Sequence, residues 1–120
     1  HVEDIRDRLA EALAGVSAQA PVVPFYSTVT SEWITDVGVA DGEYWYRNLR
    51  EQVRFGPAVA ELVSQGHGVF VEVSAHPVLV QPITEATADA DAVVVGSLRR
   101  DDGGLRRLLT SMAELFVRGV

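Results

Sequence analysis

Apolar residues recur three and four positions apart in five stretches of the chain, the spacing that lines one face of an α-helix. These stretches are residues 2–14, 41–49, 56–66, 79–83 and 105–116. Asp41 is placed to cap the second stretch, and Pro57 lies in the first turn of the third, where its missing N–H costs nothing. Gly15 follows the first stretch and Gly66 is the last residue of the third, and each can end a helix in the left-handed conformation. The pattern predicts four or five helices, the last with an apolar face that must dock on another layer.

Three shorter stretches, residues 22–29, 69–73 and 92–96, are rich in β-branched and aromatic residues and predict strands. Pro24 removes one donor from the first, which places that part at an edge or an end of a sheet. Residues 30–42 are expected to be irregular. The unbroken apolar run of the third strand is typical of a parallel strand covered on both faces. Since a helix separates the last two strands, we expect a parallel pair with a right-handed crossover, and hence an α/β protein with a short, mostly parallel sheet.

The charge and composition exclude several classes of function. The net charge is −7 and the chain contains no lysine, so a nucleic-acid-binding surface is not expected. There is no cysteine, and no apolar run approaches the ~20 residues of a membrane span. We therefore expect a cytoplasmic protein without a membrane segment. Because the first residue is His1 rather than Met, we also expect the chain to be a piece of a longer protein.

The residue types that carry catalysis or metal binding do not form a recognisable motif. None of the seven serines lies in the G-x-S-x-G turn of acyl-transfer enzymes, and no glycine-rich phosphate loop follows a strand. The three histidines lack metal-ligand spacing, so no metal site is expected. Glu72, Ser74 and His76 alternate along the end of a strand, but side chains at this spacing point the same way without forming an orienting chain. The pattern favours a turn in which the imidazole is hydrogen-bonded.

Two clusters leave alternatives open. Trp45, between two tyrosines, could stack on a base or a sugar, although aromatic residues within a short helix more commonly form core. The arginine pairs at 99–100 and 106–107 are the only local basic patch in an acidic chain. They form either a solvated helix face or a contact surface for an acidic protein partner.

Four segments in series resemble one family. Residues 24–30, 44–55, 71–79 and 95–104, the last followed by the run 108–111, are similar to the acyltransferase domain of bacterial modular type I polyketide synthases. Each segment alone is weakly specific, but together they cover the chain in the expected order and spacing.

The resemblance implies an α/β-hydrolase-like acyltransferase domain, with residues 1–98 as its C-terminal part and residues 99–120 as the helix of the linker that follows it. Such domains transfer a malonyl or methylmalonyl group from coenzyme A to a serine, and then to the phosphopantetheine thiol of an acyl carrier protein. The family's serine and histidine match positions upstream of His1, so we expect no catalytic residue in this chain and do not assign that role to His1.

The resemblance also implies a supporting site and a set of partners. In related transacylases a backbone carbonyl in the segment matching residues 53–55 accepts the N–H of the catalytic imidazole, which assigns the carbonyl of Arg54 here. No cofactor is expected to bind directly, because phosphopantetheine belongs to the carrier protein. The expected partners are the upstream part of the domain with its ketosynthase–acyltransferase linker, the acyl carrier protein and acyl-CoA, within a homodimeric multifunctional synthase of antibiotic biosynthesis. The alternative is a small non-catalytic α/β interaction module.

Overall fold

The computed structural model describes residues 5–120, which form two compact units divided between Ala58 and Val59. The predicted start of the first helix at Val2 lies outside the described residues, as does His1. No helix in the described range is long and apolar enough to cross a membrane.

The first unit combines two helices with a hairpin. Helix α1 spans Arg6–Leu13, strands β1 and β2 span Phe25–Ser27 and Glu32–Ile34, and helix α2 spans Gly42–Arg50. The strands are antiparallel, with Phe25 opposite Ile34 and Ser27 opposite Glu32. The core beneath them consists of Val29, Ile34 and Tyr44, with Phe25 and Ala40 packed against it. As predicted, the Asp41 carboxylate caps α2, accepting the N–H of Tyr44 at 2.9 Å.

The hairpin corrects two predictions from the sequence. The strand expected over residues 22–29 is only three residues long, and Val22 and Val23 are 99% and 73% exposed. The stretch expected to be irregular contains β2, whose Trp33 packs edge-to-face on Tyr26 at 5.2 Å. Pro24 ends the pairing because it has no N–H to donate, and the aromatic cross-strand pair stabilises the short ladder.

The second unit contains a strand–helix–strand arrangement. Helix α3 spans Phe55–Ser64, so the division between the units falls within it. It is followed by strand β3 (Val69–Glu72), helix α4 (Val80–Ala86), strand β4 (Val93–Gly96) and helix α5 (Leu105–Val117). The two strands are parallel and run in register from Val69 opposite Val93 to Glu72 opposite Gly96. The predicted α/β class and parallel pairing are therefore confirmed. Strand β4, for which coverage on both faces was predicted, has no exposed residue, whereas Val69 and Val71 of β3 are 42% and 45% exposed within the described chain.

Hydroxyl groups extend the parallel ladder past the end of β4. The Ser97 hydroxyl accepts the N–H of Ser74 and donates to its carbonyl, both at 3.0 Å. The Ser111 hydroxyl of α5 donates to the Ser97 carbonyl at 2.8 Å, which ties the last helix to the sheet. These buried polar groups are thus paired, as burial requires.

Helix α5 exposes most of its apolar side chains. Leu105, Leu109, Met112 and Phe116 are all more than half exposed within the described chain. A row of large apolar side chains of this kind is typical of a surface that packs against further polypeptide. Docking of this helix on another layer stays a prediction.

Candidate functional site

The backbone of Arg54, the residue assigned from the sequence, lies immediately before α3 and is held on both sides. Its N–H donates to the carbonyl of Thr28 at 3.2 Å, and its own carbonyl accepts the N–H of Ala58 at 3.1 Å. A carbonyl oxygen has two lone pairs, so that of Arg54 can accept a second hydrogen bond. The side chain is exposed, with Nη1 3.5 Å from the Ser31 hydroxyl.

The turn that carries Thr28 is organised by a buried hydroxyl. Ser27 is 0% exposed, and its Oγ accepts the N–H groups of Val29 and Thr30 at 3.1 and 3.2 Å. The same oxygen lies 2.8 Å from the phenol oxygen of Tyr44 on α2. The hairpin turn and helix α2 are therefore joined through one serine.

Ser31 closes this turn in the left-handed region, with φ of 57°. Two hydrogen bonds hold it there. Its N–H donates to the Ser27 carbonyl at 2.8 Å, and its carbonyl accepts the Tyr26 hydroxyl at 2.9 Å. A non-glycine residue in this conformation is strained by roughly 1–3 kcal/mol and persists only where its surroundings fix it.

The aromatic cluster of α2 is partly buried and partly exposed. Tyr44 is buried and contacts Phe25 and Trp45 edge-on, at 6.4 and 5.1 Å between ring centroids. The Trp45 indole N–H donates to the Ala40 carbonyl at 3.0 Å. The core interpretation therefore holds for Tyr44, whereas Trp45 is 39% exposed within the described chain and both interpretations of its ring stay open.

Glu72, Ser74 and His76 do not form a catalytic chain. The Glu72 carboxylate turns back onto the start of α4 and accepts the N–H groups of Val78, Leu79 and Val80 at 2.7–3.1 Å, together with the Ser74 hydroxyl at 2.9 Å. Glu72 is therefore an anchor for a helix N-terminus, where negative charge is stabilised. The expected absence of convergence on the histidine is confirmed.

Burial opposes ionisation of Glu72, but the N–H groups of Val78 and Leu79 and the Ser74 hydroxyl outweigh it. They hold the pKa of Glu72 below its ordinary value of 4.5. The carbonyl of His76 also accepts the Ser74 hydroxyl at 2.9 Å, but its imidazole takes no part in this cluster, since Nδ1 accepts the N–H of Arg100 at 3.2 Å. The prediction of a hydrogen-bonded turn histidine is confirmed.

The arginine pairs divide between surface and interior. Arg99, Arg100 and Arg106 are exposed, as a solvated face requires. Arg107 is not: its side chain is 12% exposed, with Nη2 3.4 Å from the Ser111 hydroxyl and 3.6 Å from a Glu114 carboxylate oxygen. Its Nε is buried without a hydrogen-bond partner, and Arg107 is one of the residues that line a cavity of about 130 Å³. The interpretation of both pairs as one solvated face is wrong for Arg107.

No group of three histidine, aspartate or glutamate side chains comes together as metal ligands within residues 5–120.

The sequence as a whole matches the family described as "Acyl transferase domain" over residues 1–120. The chain belongs to this family. Among curated relatives, this acyltransferase chain is 50% identical to the pikromycin polyketide synthase component PikAII of Streptomyces venezuelae over 100% of its length, and 52% identical to the polyketide synthase GfsA of Streptomyces halstedii, also over 100%. It spans only 3% and 2% of those two proteins.

Solved structures agree with this assignment. The acyltransferase domain from module 8 of the salinomycin polyketide synthase matches 99% of the chain with a TM-score of 0.91 and 51% identity, and the chain spans 28% of it. A loading acyltransferase from the avermectin modular polyketide synthase matches 96% of the chain with a TM-score of 0.85 and 38% identity, and the chain spans 36% of it. Since the match extends over the whole chain, it disfavours the alternative of an unrelated interaction module.

The family resemblance led to Arg54 but not to the residues that hold it. Ser27 and Tyr44 lie 17 positions apart, and no spacing rule connects them. The available signal is weaker: a serine at the end of a strand can bond the backbone two and three residues ahead and so form a turn.

Proposed function

We propose that this acyltransferase chain forms part of a catalytic domain that moves a malonyl-type extender, malonyl or methylmalonyl, from coenzyme A through an acyl-serine to the phosphopantetheine thiol of an acyl carrier protein. The observation that carries this proposal is the match to polyketide synthase acyltransferases along the entire chain at about half identity, with a TM-score of 0.91 to one of them. The acyl-CoA and the carrier-bound thiol are its substrates.

Within this proposal the chain supplies support rather than the reacting groups. The nucleophilic serine and the histidine base belong to the part of the domain upstream of residue 1. Residues 1–98 complete the acyltransferase fold and residues 99–120 begin the linker that follows. The partners are that upstream part with its ketosynthase–acyltransferase linker and the carrier protein, in a homodimeric cytoplasmic synthase.

The backbone carbonyl of Arg54 orients the catalytic histidine. A neutral imidazole must present one nitrogen to the serine, so its other nitrogen should donate to a fixed acceptor. No aspartate or glutamate lies between Gln52 and Ala60 to serve as that acceptor. The Arg54 carbonyl is held at the start of α3 and has a lone pair left after bonding Ala58. It can orient the ring as a carboxylate does, without a full charge.

Transfer of label tests the reaction. A complete acyltransferase domain containing this chain, incubated with labelled malonyl-CoA or methylmalonyl-CoA, should acquire an acyl ester and pass it to a carrier protein. The ratio of the two rates gives the preferred extender. Residues 1–120 alone should acquire no label, because they contain no nucleophile turn. A stable serine ester on this chain would contradict the assignment of roles.

Two substitutions in the complete domain test the carbonyl. Arg54→Ala should change KM more than kcat, because it removes only a side chain. Phe55→Gly should lower kcat, because it loosens the backbone that carries the carbonyl. Ala60→Gly, at an exposed position of α3, is the matched control: it weakens the helix by about 1 kcal/mol without touching the turn and should leave kcat unchanged. Loss of acylation in Arg54→Ala with a silent Phe55→Gly would show that the guanidinium acts directly.

A further inference from the structure

A continuous set of hydrogen bonds leads from a buried hydroxyl to the Arg54 backbone. Ser27 Oγ accepts hydrogen bonds from the N–H groups of Val29 and Thr30. The carbonyl of Thr28, the residue after Ser27, accepts the N–H of Arg54 at 3.2 Å. The orientation of the Thr28 carbonyl therefore depends on the turn that Ser27 holds.

The hydroxyl of Ser27 has no spare bonding capacity. Its two lone pairs receive the two turn N–H groups, so its hydrogen is left for the phenol oxygen of Tyr44 at 2.8 Å. Ser27 is also the only residue of the described chain whose side chain is fully buried at less than 2% exposure. Every donor and acceptor position of this hydroxyl is hydrogen-bonded and shielded from water, so any rearrangement leaves a buried donor unpaired. The hydroxyl therefore holds one geometry.

The strain at Ser31 lies at the same place. Its left-handed φ of 57° is held by the Ser27 carbonyl and by the Tyr26 hydroxyl, and its own hydroxyl faces the Arg54 side chain. A turn of simple structural purpose could avoid this strain by using glycine. Strain that is fixed by several bonds beside a functional group is a mark of a site in which geometry matters.

We propose that Ser27 is a positioning residue for acyl transfer, acting through the Thr28–Ser31 turn to fix the carbonyl of Arg54. This inference rests on the proposed function of that carbonyl. Both peptide groups of Arg54 are tied, one to Thr28 and the other to Ala58, so a shift of the turn moves the carbonyl and with it the catalytic imidazole. Misplacement of a catalytic group by about 1 Å can lower a rate by roughly 100-fold.

The test compares three variants in the complete acyltransferase domain. Tyr44→Phe removes the phenol but leaves Ser27 Oγ to hold the turn. The double variant Ser27→Ala/Tyr44→Phe lacks the hydrogen bond between these two residues and also lacks the acceptor for the two turn N–H groups. It leaves no buried phenol unpaired. Tyr46→Phe, on the same helix, is the control and should match the parent, because its ring packs beside Arg6 and its hydroxyl takes no part in the turn. Kinetics of self-acylation are measured below each variant's melting temperature.

The double variant should show kcat roughly 10- to 100-fold below that of Tyr44→Phe, with KM within about twofold, because the loss affects positioning and not binding. Ser27→Ala alone should show the same fall; if it is too unstable to assay, the double variant carries the test. A kcat for the folded double variant within twofold of Tyr44→Phe would overturn the inference. Failure of the proposed function is distinct: the parent domain would not be acylated, or Phe55→Gly would have no effect on kcat.

Discussion

Replacing Glu72 by glutamine should destabilise the domain by about 2–3 kcal/mol at neutral pH. The best amide orientation keeps an oxygen at the Oε2 position, where it still accepts the N–H groups of Val78, Leu79 and Val80. Those three bonds lose charge assistance, worth about 1 kcal/mol each. The amide nitrogen takes the place of Oε1, 2.9 Å from the Val78 nitrogen, so two donors face each other. The lower desolvation cost of a neutral amide offsets part of the total.

The effect of Glu72→Gln should also depend on pH in a defined direction. The folded-state pKa of Glu72 is depressed below its ordinary value of 4.5, so the carboxylate contributes its full stabilisation above that value. This contribution is lost as the pH falls through the folded-state pKa, because the group must then bind a proton in the folded protein. Glutamine does not titrate. The stability difference between parent and variant should therefore be constant near pH 7 and shrink below pH 4.5.

Urea unfolding of the complete acyltransferase domain at several pH values measures both effects. Glu85→Gln, on the exposed face of α4, is the matched control and should change the free energy of unfolding by no more than about 0.5 kcal/mol. If Glu72→Gln is as mild as the control at pH 7, the carboxylate does not anchor α4. If its effect stays constant down to acid pH, the linkage argument is wrong.

The remaining predictions concern α5 and the turn histidine in the complete domain. Leu109→Asp should lower the free energy of unfolding by several kcal/mol, because we expect the rest of the domain to bury this side chain of α5. The neighbouring Thr110→Asp is the control and should have a smaller effect. A melting temperature of Leu109→Asp within a degree or two of the parent would mean that this face is solvated. His76→Gln should keep kcat within about tenfold, since its Nδ1 bonds only a backbone N–H of Arg100, whereas loss of a general base costs roughly 10²–10⁴. A fall of that size with unchanged melting would make His76 a catalytic candidate.

The repeating parts of the fold could be predicted from the sequence, and the short hairpin could not. The strands at 69–73 and 92–96 were evident because apolar runs of β-branched residues leave few alternatives. Strand β2 has only three residues, and its pairing depends on the contact of Trp33 with Tyr26 and on the left-handed turn at Ser31. Neither the aromatic contact nor the left-handed turn follows from the local propensity of the residues in β2. In the opposite sense, Val22 has high strand propensity but lies next to Pro21 and remains unpaired and exposed.

The candidate site, like the fold, could be predicted from the sequence only in part. Arg54 was found through the family resemblance, whereas Ser27 and Tyr44 required three-dimensional placement. Glu72 is the clearest case. From sequence alone it belonged to an alternating trio with Ser74 and His76, and only the return of α4 onto the strand end shows that its carboxylate anchors a helix. Arg107 was likewise interpreted as part of a solvated helix face, because it belongs to one of two arginine pairs that follow acidic residues or precede them.

The bonds that join β3, α4, β4 and α5 have a consequence for the order in which the chain folds. Glu72 reaches Leu79 across 7 positions, Ser111 reaches Ser97 across 14, and Ser97 reaches Ser74 across 23. The entropy of closing such short loops is small, and domains dominated by nearby contacts assemble quickly. We therefore expect residues 69–111 to reach their native pairing without contacts to segments distant in the sequence.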